Sequence, residues 1–483
     1  MRLPPAILAN AEEVLREILR FTAPADTTLS RYFRDHPRLG SRERGAIAEG
    51  IYAVLRNKSF FTDFAEAGSG PTMRRLTILG LAEAVGADSL GGLTEEEVEW
   101  LERITQIDRS LMPSNMRANM PTWLFDKLIA QFGEAETMKL ADALNAPAPL
   151  DLRVNSLKAT RDDVMLALAE APILSTPTPY APLGLRVIKK PSLQNLPLFQ
   201  SGAIEVQDEG SQILSQIVGA KRGEMVVDFC AGAGGKTLAL GALMRNTGRL
   251  YAFDVSEKRL AKLKPRMARS GLSNVHPVQI AHERDAKIKR LAGKIDRVLV
   301  DAPCSGLGTL RRNPDVKWRQ QPNSIVELQA KQAAILAGAA RLVKGGGRLV
   351  YATCSFLNEE NDFIAEQFLA AHPDFTLVPM NKVLAEQKIE LEMGDYLKLL
   401  PHLHQTDGFF AAVFERKVMP KKSTPMKSRP TTLTLSKLNK FVTGHRCSIA
   451  AVAMHLRQPV WRRLGAPRPF VFPHHLPDSI RHE

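Results

Sequence analysis

The stretch that most constrains the fold is residues 226–237, which read VVDFCAGAGGKT. An apolar run that ends in Asp228 is typical of a buried parallel strand, and the glycines that follow let the backbone turn tightly beside a ligand. Lys236 and Thr237 then open an apolar segment that favours a helix. A strand, a glycine-rich loop and a helix in this order indicate an α/β unit that binds a nucleoside-containing cofactor.

Residue spacing separates the folds that use such a loop. A phosphate-binding Walker loop requires a glycine five residues before Gly235, where this chain has Cys230. A dinucleotide fingerprint would place its last glycine on Thr237. Asp254 ends a second strand-like run and stands where such folds bind a ribose hydroxyl. These observations predict a cofactor with a ribose but no phosphates, S-adenosyl-L-methionine, and the alternative is an ordinary glycine-rich turn.

The charge of the chain is unevenly distributed. Its 483 residues carry a formal net charge of +14, which indicates an anionic partner. Residues 418–483 contain twelve lysines and arginines but only two acids, so this segment carries +10 and the remaining 417 residues carry +4. Because the segment is also rich in proline, we predict a basic tail that is largely disordered.

Cysteine usage and the absence of long apolar runs limit the class of protein. Four scattered cysteines, without a Cys-x-x-Cys pair, do not form a disulfide framework or a metal knuckle. Glu12 and Glu13 interrupt the N-terminal apolar residues before a signal peptide could form, and no apolar run is long enough to span a membrane. The sequence therefore predicts a cytoplasmic protein, a monomer, without a metal or a membrane partner.

Periodicity divides the chain into four parts. Residues 1–141 show helical spacing nearly throughout, and residues 142–203 combine short apolar runs with prolines, which indicates a small α/β module. Residues 204–417 alternate strands and helices, which predicts a Rossmann-like, doubly wound, mostly parallel sheet. Within it, residues 374–380 and 408–417 are predicted to form antiparallel edge strands. Residues 418–483 are the basic tail.

Two cysteines follow strands of this predicted sheet. Cys304 lies in the segment DAPCSG after the fourth strand, and Cys354 ends the fifth strand, so both are expected at the sheet edge that carries the glycine-rich loop. Methylation of a pyrimidine at carbon 5 needs such a thiol, because addition of a thiolate at carbon 6 makes carbon 5 nucleophilic. Asp301, which begins the DAPCSG segment, is a candidate acid that protonates or hydrogen-bonds the ring nitrogen N3.

Residues 150–417 resemble the Sun (Fmu) or RsmB-type family of RNA cytosine-C5 methyltransferases. The matching motifs are QDEGSQ (207–212), DFCAGAGGKT (228–237), DAPCSGLGTLRRNPDVKW (301–318), GGGRLVYATCSFLNEEN (345–361) and DGFFAAVF (407–414). The N-terminal region, with SRERGAIAEGIYAVLRN (41–57), more weakly resembles the NusB-related RNA-binding domain of bacterial members. The resemblance implies a class I methyltransferase fold of the 16S rRNA methyltransferase B type.

The resemblance also implies roles for individual residues. Cys354 becomes the nucleophile and Cys304 assists release of the methylated RNA, although the Pro-Cys context of Cys304, shared with DNA cytosine methyltransferases, would by itself favour Cys304 as the nucleophile. The acid expected after the third strand is replaced by AHERD, where His282 holds the nominal place and Glu283 is favoured over Asp285. The other residues that the resemblance assigns to the cofactor are Cys230, Ala231, Gly232, Ala233, Gly234, Gly235, Lys236, Asp254 and Asp301.

Several polar residues are candidate RNA contacts, with a structural role as the alternative. They are Arg153 and Asn155 at a predicted strand end, and Arg311, Arg312, Lys317, Trp318 and Arg319 after the Cys304 loop. Cations at such positions would hold phosphates, and a tryptophan would stack on a base.

The sequence therefore predicts a methyltransferase that acts on carbon 5 of a cytidine in structured RNA. Small-subunit ribosomal RNA is the favoured substrate and transfer RNA is an alternative. A non-catalytic RNA-binding factor in ribosome assembly is a different class of protein, but it would need neither the paired cysteines nor the glycine-rich loop. DNA is disfavoured because the chain has the additional Thr-Cys-Ser cysteine and a helical domain that resembles RNA-binding domains.

Overall fold

The computed structural model describes residues 2–189 and 191–418. The predicted order of the tail beyond residue 418 lies outside the described residues. Within the described part, the chain packs as one compact unit.

The N-terminal region is helical, as its periodicity predicts. Thr94 caps its helix by accepting a hydrogen bond from the Glu97 backbone N–H at 3.2 Å, and Leu15, Ile47 and Leu55 are fully buried in its core. The α-helices are α1 (Pro5–Ile18), α2 (Ala25–Asp35), α3 (Ser41–Arg56), α4 (Lys58–Glu66), α5 (Thr72–Val85), α6 (Glu95–Thr105), α7 (Ser114–Arg117), α8 (Thr122–Phe132) and α9 (Glu134–Asn145).

A small antiparallel sheet follows the helices. Its elements are β1 (Leu150–Val154), α10 (Arg161–Glu170), β2 (Ser175–Pro177), β3 (Gly184–Val187), α11 (Pro197–Gln200) and β4 (Ile204–Val206), and the strand order is β2-β3-β1-β4. Leu152, Val164 and Leu185 form its apolar core. Strand β1 contacts the helix that follows the module, residues 209–217.

The predicted RNA contacts in this module are wrong. Arg153 is buried and donates hydrogen bonds to the Gly235 carbonyl at 2.7 Å and to the Gln207 side chain. Asn155 is also buried and donates to the Gly202 and Ser270 carbonyls, at 3.0 Å each. Both side chains join the module to the glycine-rich loop and its neighbours, because a buried polar group must find partners inside the protein.

The remaining elements build the large sheet and its helices. They are α12 (Glu209–Ile217), β5 (Met225–Asp228), α13 (Gly235–Leu243), β6 (Arg249–Asp254), α14 (Glu257–Ser270), β7 (Val275–Gln279), α15 (Ala286–Lys289), β8 (Ile295–Asp301), α16 (Val316–Arg319), α17 (Pro322–Ala340), β9 (Val343–Thr353), α18 (Asp362–Ala371), β10 (Phe375–Leu377), α19 (Met380–Glu386), β11 (Leu397–Leu399), α20 (Pro401–His404) and β12 (Phe409–Arg416).

The strand order is β10-β12-β9-β8-β5-β6-β7, and β11 also pairs with β12. Strands β9, β8, β5, β6 and β7 are parallel, and the chain reverses its direction of winding between β5 and β8. Helices α12 to α14 pack in the core on one face of this sheet, and α17 and α18 pack on the other. The predicted doubly wound sheet is therefore confirmed, and its ligands belong at the carboxyl ends of the parallel strands.

The position predicted for the last strand is wrong. Strand β12 lies inside the sheet, between β9 and β10, and pairs antiparallel with β9 so that Phe410 stands opposite Thr353. Its residues from Phe409 to Phe414 are all buried. A continuous apolar run of this kind is typical of a strand that is covered on both faces.

Three of the four basic residues after the Cys304 loop do not form the predicted RNA contact. Arg311 donates to the Thr406 carbonyl at 2.9 Å, and Arg312 pairs with Asp407 at 2.6 Å and with Asp208 at 2.9 Å. The segment is covered by helices α8 and α9, which pack with Leu307, Leu310 and Phe356 in a shared apolar cluster. The prediction is wrong for Arg311, Arg312 and Lys317, whose polar groups bond inside the protein, whereas Arg319 is exposed and its contact with RNA stays a prediction.

The same segment contains Lys317, which is buried, and Trp318, which is partly buried. The Lys317 ammonium donates to the Arg56 carbonyl at 3.0 Å and to Asn145 Oδ1 at 2.8 Å, and Trp318 Nε1 donates to the Leu55 carbonyl at 2.8 Å. These bonds fix the ends of α3 and α9 to α16. Arg319 pairs with Asp315 at 3.4 Å, within the same segment.

Lys317 makes the stability of the protein depend on pH. Burial, with Arg56 nearby, holds the pKa of Lys317 well below its ordinary value of 10.5. Between these two pKa values the unfolded chain binds the additional proton, so the folded state gains stability as the pH rises through this window. We expect the wild type to gain unfolding free energy over Lys317→Met as the pH rises toward the ordinary lysine pKa of 10.5. A pH-independent difference in denaturant titrations would contradict this, and Lys382→Met, at an exposed lysine, is the control.

Candidate active site

A cavity of about 750 Å³ opens at the carboxyl ends of the parallel strands. Asp228 ends β5, Asp254 ends β6, Asp301 ends β8 and Cys354 follows β9. All four residues line the cavity. The predicted site residues on its wall are Cys230, Ala231, Gly232, Ala233, Gly235, Lys236, Asp254, Glu283, Asp301, Cys304 and Cys354.

Gly234 supports the loop from beneath and is not part of the cavity wall. Its φ of +87° is a conformation that side chains disfavour, and a Cβ atom there would lie 2.1 Å from Leu263 Cδ1 on α14. This glycine therefore lets the loop approach α14 closely and leaves the other loop residues facing the cavity.

Two buried carboxylates flank the loop. Asp254 Oδ2 accepts a hydrogen bond from the Gly232 backbone N–H at 2.9 Å, and its Oδ1 accepts one from Ser256 N–H at 2.7 Å. Burial raises the pKa of Asp228 from 3.8 to about 7. Its Oδ2 accepts from Thr237 Oγ1 at 2.7 Å, but its buried Oδ1 has no hydrogen-bond partner among the described residues.

Some side chains after β7 line the cavity, and another bonds to backbone N–H groups. His282 and Glu283 line the cavity. Asp285 instead caps α15, since its Oδ1 accepts from Lys287 N–H and its Oδ2 from Ala281 N–H, both at 2.8 Å. Of the three candidates His282, Glu283 and Asp285, only His282 and Glu283 therefore face the cavity where a cofactor would bind.

Lys236 and Asp301 form an ion pair in the cavity wall, with Nζ 2.7 Å from Oδ2. Burial alone would lower the pKa of Lys236, but the Asp301 carboxylate raises it above its ordinary value. Lys236 is therefore held as an ammonium. The pair presents both a hydrogen-bond donor and a carboxylate to the same cavity.

The two cysteines come together as predicted. The Sγ atoms of Cys304 and Cys354 lie 3.3 Å apart, and both residues line the cavity. The hydrogen bond with Cys354 and burial both raise the pKa of the Cys304 thiol. Cys304 is thus held as a thiol, and its S–H can donate to the Cys354 sulfur.

The buried carboxylate of Glu360 and the amide of Gln332 together hold the backbone on both sides of Cys304. Glu360 is fully buried and accepts hydrogen bonds from Ser305 N–H at 2.8 Å, Ser305 Oγ at 2.5 Å and Gln332 Nε2 at 3.0 Å. Gln332 Nε2 also donates to the Pro303 carbonyl at 3.1 Å. Because Pro303 and Ser305 flank Cys304, these contacts fix its position.

The neighbouring residue, Asn361, does the same for Cys354. Its Oδ1 accepts from Thr353 Oγ1 at 2.6 Å, and its Nδ2 donates to the Ser355 carbonyl at 3.0 Å. The Cys354 carbonyl in turn accepts a bond from Gly308 N–H at 2.9 Å. Adjacent residues of one short segment therefore position both thiols.

Sequence reasoning missed Gln332, Glu360 and Asn361 as positioning residues. Glu360 and Asn361 belong to the NEEN segment that closes one of the matching motifs, so their place was visible. Periodicity would have identified Gln332, a polar residue on the buried side of the apolar helix α17. Which atoms they bond could not be read from spacing.

The residues of the cavity fit S-adenosyl-L-methionine. Asp254 lies at the end of β6, where a ribose hydroxyl binds in folds of this topology. The unpartnered buried Oδ1 of Asp228 suits a cationic group such as the ammonium of the amino-acid moiety. The left-handed turn at Gly232 has open space beside it, since no heavy atom lies within 4 Å of an added Cβ.

The described residues contain neither a metal-binding cluster nor a membrane-spanning helix. No cluster of three or more histidine, cysteine or acidic side chains in residues 2–189 and 191–418 could hold a metal ion. Over the same ranges, no helix is long and apolar enough to cross a membrane.

The fold and the cavity define a class I methyltransferase, the class of enzyme that uses S-adenosyl-L-methionine. More particularly, the chain belongs to the RsmB/F family of RNA methyltransferases. Residues 215–415 match the family described as 16S rRNA methyltransferase RsmB/F, and residues 120–194 match its ferredoxin-like domain. The predicted family, enzyme class and cofactor are thereby confirmed.

Individual relatives support the assignment. A probable ribosomal RNA small subunit methyltransferase B from Synechocystis is 33% identical over 433 residues, which cover 83% of this chain and 97% of that protein. The crystal structure of PH0851 has a TM-score of 0.69 at 27% identity and covers 86% of this chain and 100% of its own. A methyltransferase homologue from Pyrococcus horikoshii has a TM-score of 0.55 at 30% identity, over 65% of this chain and 100% of its own.

Proposed function

We propose that this enzyme transfers a methyl group from S-adenosyl-L-methionine to carbon 5 of a cytidine in small-subunit ribosomal RNA. The observation that carries the proposal is the pair of thiols, with their sulfurs 3.3 Å apart, on the same cavity as the glycine-rich loop and Asp254. The relatives named ribosomal RNA small subunit methyltransferase B support this choice of RNA.

Cys354 is the proposed nucleophile. When bound, S-adenosyl-L-methionine supplies an electrophilic methyl group, and carbon 5 of cytosine reacts with such a group only after a thiolate has added to carbon 6. The Cys304 thiol stays protonated and can donate a hydrogen bond to Cys354. A donor of this kind stabilises negative charge on the Cys354 sulfur, which supports the division of roles implied by the family resemblance.

Lys236 and Asp301 are proposed to act on the other side of the ring. Addition at carbon 6 increases the electron density on the pyrimidine, and a proton or a hydrogen bond at N3 stabilises it. The Lys236 ammonium donates to the Asp301 carboxylate at 2.7 Å, so the pair holds a proton that can be given, or hydrogen-bonded, to a ring nitrogen bound beside it. Asp301 thus retains its predicted role, with Lys236 as the group that keeps a proton available.

Cys304 is proposed to assist release. Transfer of the carbon 5 proton to solvent water and departure of the Cys354 sulfur from carbon 6 as a thiolate restore the aromatic ring, and N3 gives its proton back to the Lys236–Asp301 pair. The Cys304 S–H lies within hydrogen-bond distance of that sulfur and can stabilise it as it departs. The pair then returns to its starting state.

The cofactor is proposed to bind along the glycine-rich loop. Asp254 would hold the ribose, Glu283 the adenine side, and Asp228 the ammonium of the amino-acid moiety. The loop residues Cys230, Ala231, Gly232, Ala233 and Gly235 form the adjacent wall, and Gly234 sets its shape.

Replacement of Asp254 tests this placement. We expect Asp254→Ala to weaken binding of S-adenosylhomocysteine by about 10-fold to 100-fold, because two hydroxyl groups lose a charged acceptor. Asp285→Ala is the matched control, since its carboxylate bonds to backbone N–H groups and does not line the cavity, so the substitution is expected to leave binding within about twofold. Calorimetric titration measures both, and equal effects of the two substitutions would contradict the placement.

The organisation of the whole chain remains part of the proposal. Residues 1–141 would be a NusB-like RNA-binding domain, residues 142–203 a small α/β module, residues 204–417 the catalytic domain, and residues 418–483 a basic arm. We further propose that the enzyme acts as a monomer in the cytoplasm.

A methyl-transfer assay tests the proposed function. Purified protein would be incubated with isotopically labelled S-adenosyl-L-methionine and either 16S ribosomal RNA, transfer RNA or double-stranded DNA, and the product digested to nucleosides. The proposal predicts labelled 5-methylcytidine from 16S RNA. Label in transfer RNA alone would reassign the substrate, and no label in any nucleic acid would favour a non-catalytic RNA-binding factor.

A further inference from the structure

Positive charge in the described chain is concentrated in one segment of the catalytic domain. Residues 257–294 contain eleven lysines and arginines against three acids. The rest of residues 1–417 contains forty-two basic and forty-six acidic residues, so it carries a net negative charge. A local excess of this size produces a positive field at one surface of an otherwise nearly neutral body.

The segment surrounds the edge of the large sheet that is formed by β7. Leu260 and Leu263 anchor α14 in the core on one face of the sheet, and Ile288 anchors α15 in the core on the other. Apart from Arg259, which pairs with Asp254, the exposed cations of both helices and Arg290 directly after α15 therefore flank β7. We call them the basic edge: Lys258, Lys262, Lys264, Lys287, Lys289 and Arg290.

These cations are largely uncompensated. Lys258, Lys262, Lys264, Lys289 and Arg290 make no ion pair with any residue in the described ranges, whereas Arg266 and Arg269 of the same helix pair with Glu205. Repulsion among unpaired like charges costs stability unless a polyanion is present. Unpaired cations on both sides of the sheet edge at β7 therefore indicate an anionic partner.

The basic edge adjoins the mouth of the cavity. Helix α14 begins just after Asp254 and Val255, and α15 begins soon after His282 and Glu283, all of which line the cavity. A polyanion bound along the edge would therefore lie beside the opening through which a substrate enters.

The chemistry of the surface favours a phosphate backbone. Among the described residues, no large exposed hydrophobic side chain falls within residues 257–294, which argues against a membrane or an apolar protein partner. Lysine ammonium groups contact phosphates without reading bases. RNA presents such phosphates at regular, close spacing.

We propose that the basic edge binds the phosphate backbone of the RNA substrate outside the nucleotide that is methylated. The inference rests on the proposed function, in which RNA enters this cavity. This contact would be a second one, independent of RNA sequence and separate from the thiols and the glycine-rich loop. It lies at the β7 end of the sheet, away from β12.

Charge reversal on α14 tests the inference. The full-length variant K258E/K262E/K264E would be compared with R222E/K382E/K388E, which alters three exposed cations elsewhere and changes the net charge equally. Affinity for 16S RNA and for an unrelated RNA hairpin would be measured by fluorescence anisotropy across a salt series. Thermal unfolding would confirm that both variants fold, and both retain residues 418–483.

We expect the α14 variant to bind both RNAs at least about tenfold more weakly, with the slope of log Kd against log salt reduced by about 2, because each lost phosphate contact removes nearly one unit. The control should stay within about twofold. At saturating RNA, methyl transfer by the α14 variant should approach the wild-type rate, so the defect lies in KM.

Equal RNA affinities of the α14 variant and the control would overturn the inference, as would a loss confined to one RNA. The outcome is separable from the proposed function. If the wild type methylates no RNA but the two variants still differ in binding, the proposed function fails and the phosphate surface stands. If the wild type methylates RNA and the variants bind alike, the inference fails alone.

Discussion

Cys354→Ala is expected to lower kcat/KM for RNA methylation by about three orders of magnitude or more, because no thiolate then adds to carbon 6 of the cytosine. Binding of S-adenosylhomocysteine should be unchanged, which separates a loss of chemistry from a loss of folding. A labelled-methyl assay measures the first quantity and calorimetry the second. Wild-type turnover by this variant would exclude Cys354 as the nucleophile.

Cys304→Ala should behave differently from Cys354→Ala. Without the S–H that lies 3.3 Å from the Cys354 sulfur, the covalent enzyme–RNA adduct should accumulate, because its breakdown is slower than its formation. A band of reduced mobility on a denaturing gel, absent in the double variant, is the expected result. If Cys304→Ala turns over normally and no adduct is detected, its proposed role in release is wrong.

The second large effect is expected at Glu360. Glu360→Ala should lower the unfolding free energy by about 3 kcal/mol, because it leaves the buried Ser305 N–H without its acceptor and removes one of the two acceptors of the Gln332 amide. Methyl transfer should fall as well, since the loop that carries Cys304 loses its main support. Denaturant titration and the methyl-transfer assay measure these two losses.

Conservative and neighbouring substitutions make the Glu360 prediction specific. Glu360→Gln keeps an acceptor oxygen, so it should restore part of both the stability and the activity. Glu359→Gln is the matched control, because this adjacent carboxylate pairs with the partly exposed Lys127 and is expected to contribute no more than about 1 kcal/mol. A Glu360→Ala variant as stable and active as Glu359→Gln would show that the buried carboxylate does not hold the loop.

Local spacing was sufficient to predict the part of the fold that builds the cavity. The strand before Asp228, the glycine turn and the acid at Asp254 follow from rules that act within a few residues, and the structure places them on one wall. The convergence of Cys304 and Cys354 was also predictable, since both follow parallel strands that end at the same edge.

Properties that depend on tertiary packing could not be predicted in this way. Arg311, Arg312 and Lys317 have the composition of an RNA-binding loop, but helices α8 and α9 cover the segment, Arg311 and Lys317 are buried, and Arg312 is paired with two carboxylates. The interior position of β12 likewise depends on its pairing with β9 and β10, which are distant in sequence. Glu360 lies in one of the matching motifs, but its role in positioning Cys304 follows only from the three hydrogen bonds that its carboxylate accepts.

The most direct test of the account is to identify which sulfur becomes bonded to RNA. The full-length Cys304→Ala enzyme would be incubated with 16S RNA and S-adenosyl-L-methionine, denatured, and digested with protease and nuclease for peptide mass spectrometry. The account predicts a nucleotide adduct, carrying the mass of one added methyl group, on the peptide that contains Cys354. The same experiment with Cys354→Ala should yield no adduct, and a nucleotide bonded to Cys304 in that variant would contradict Cys354 as the nucleophile.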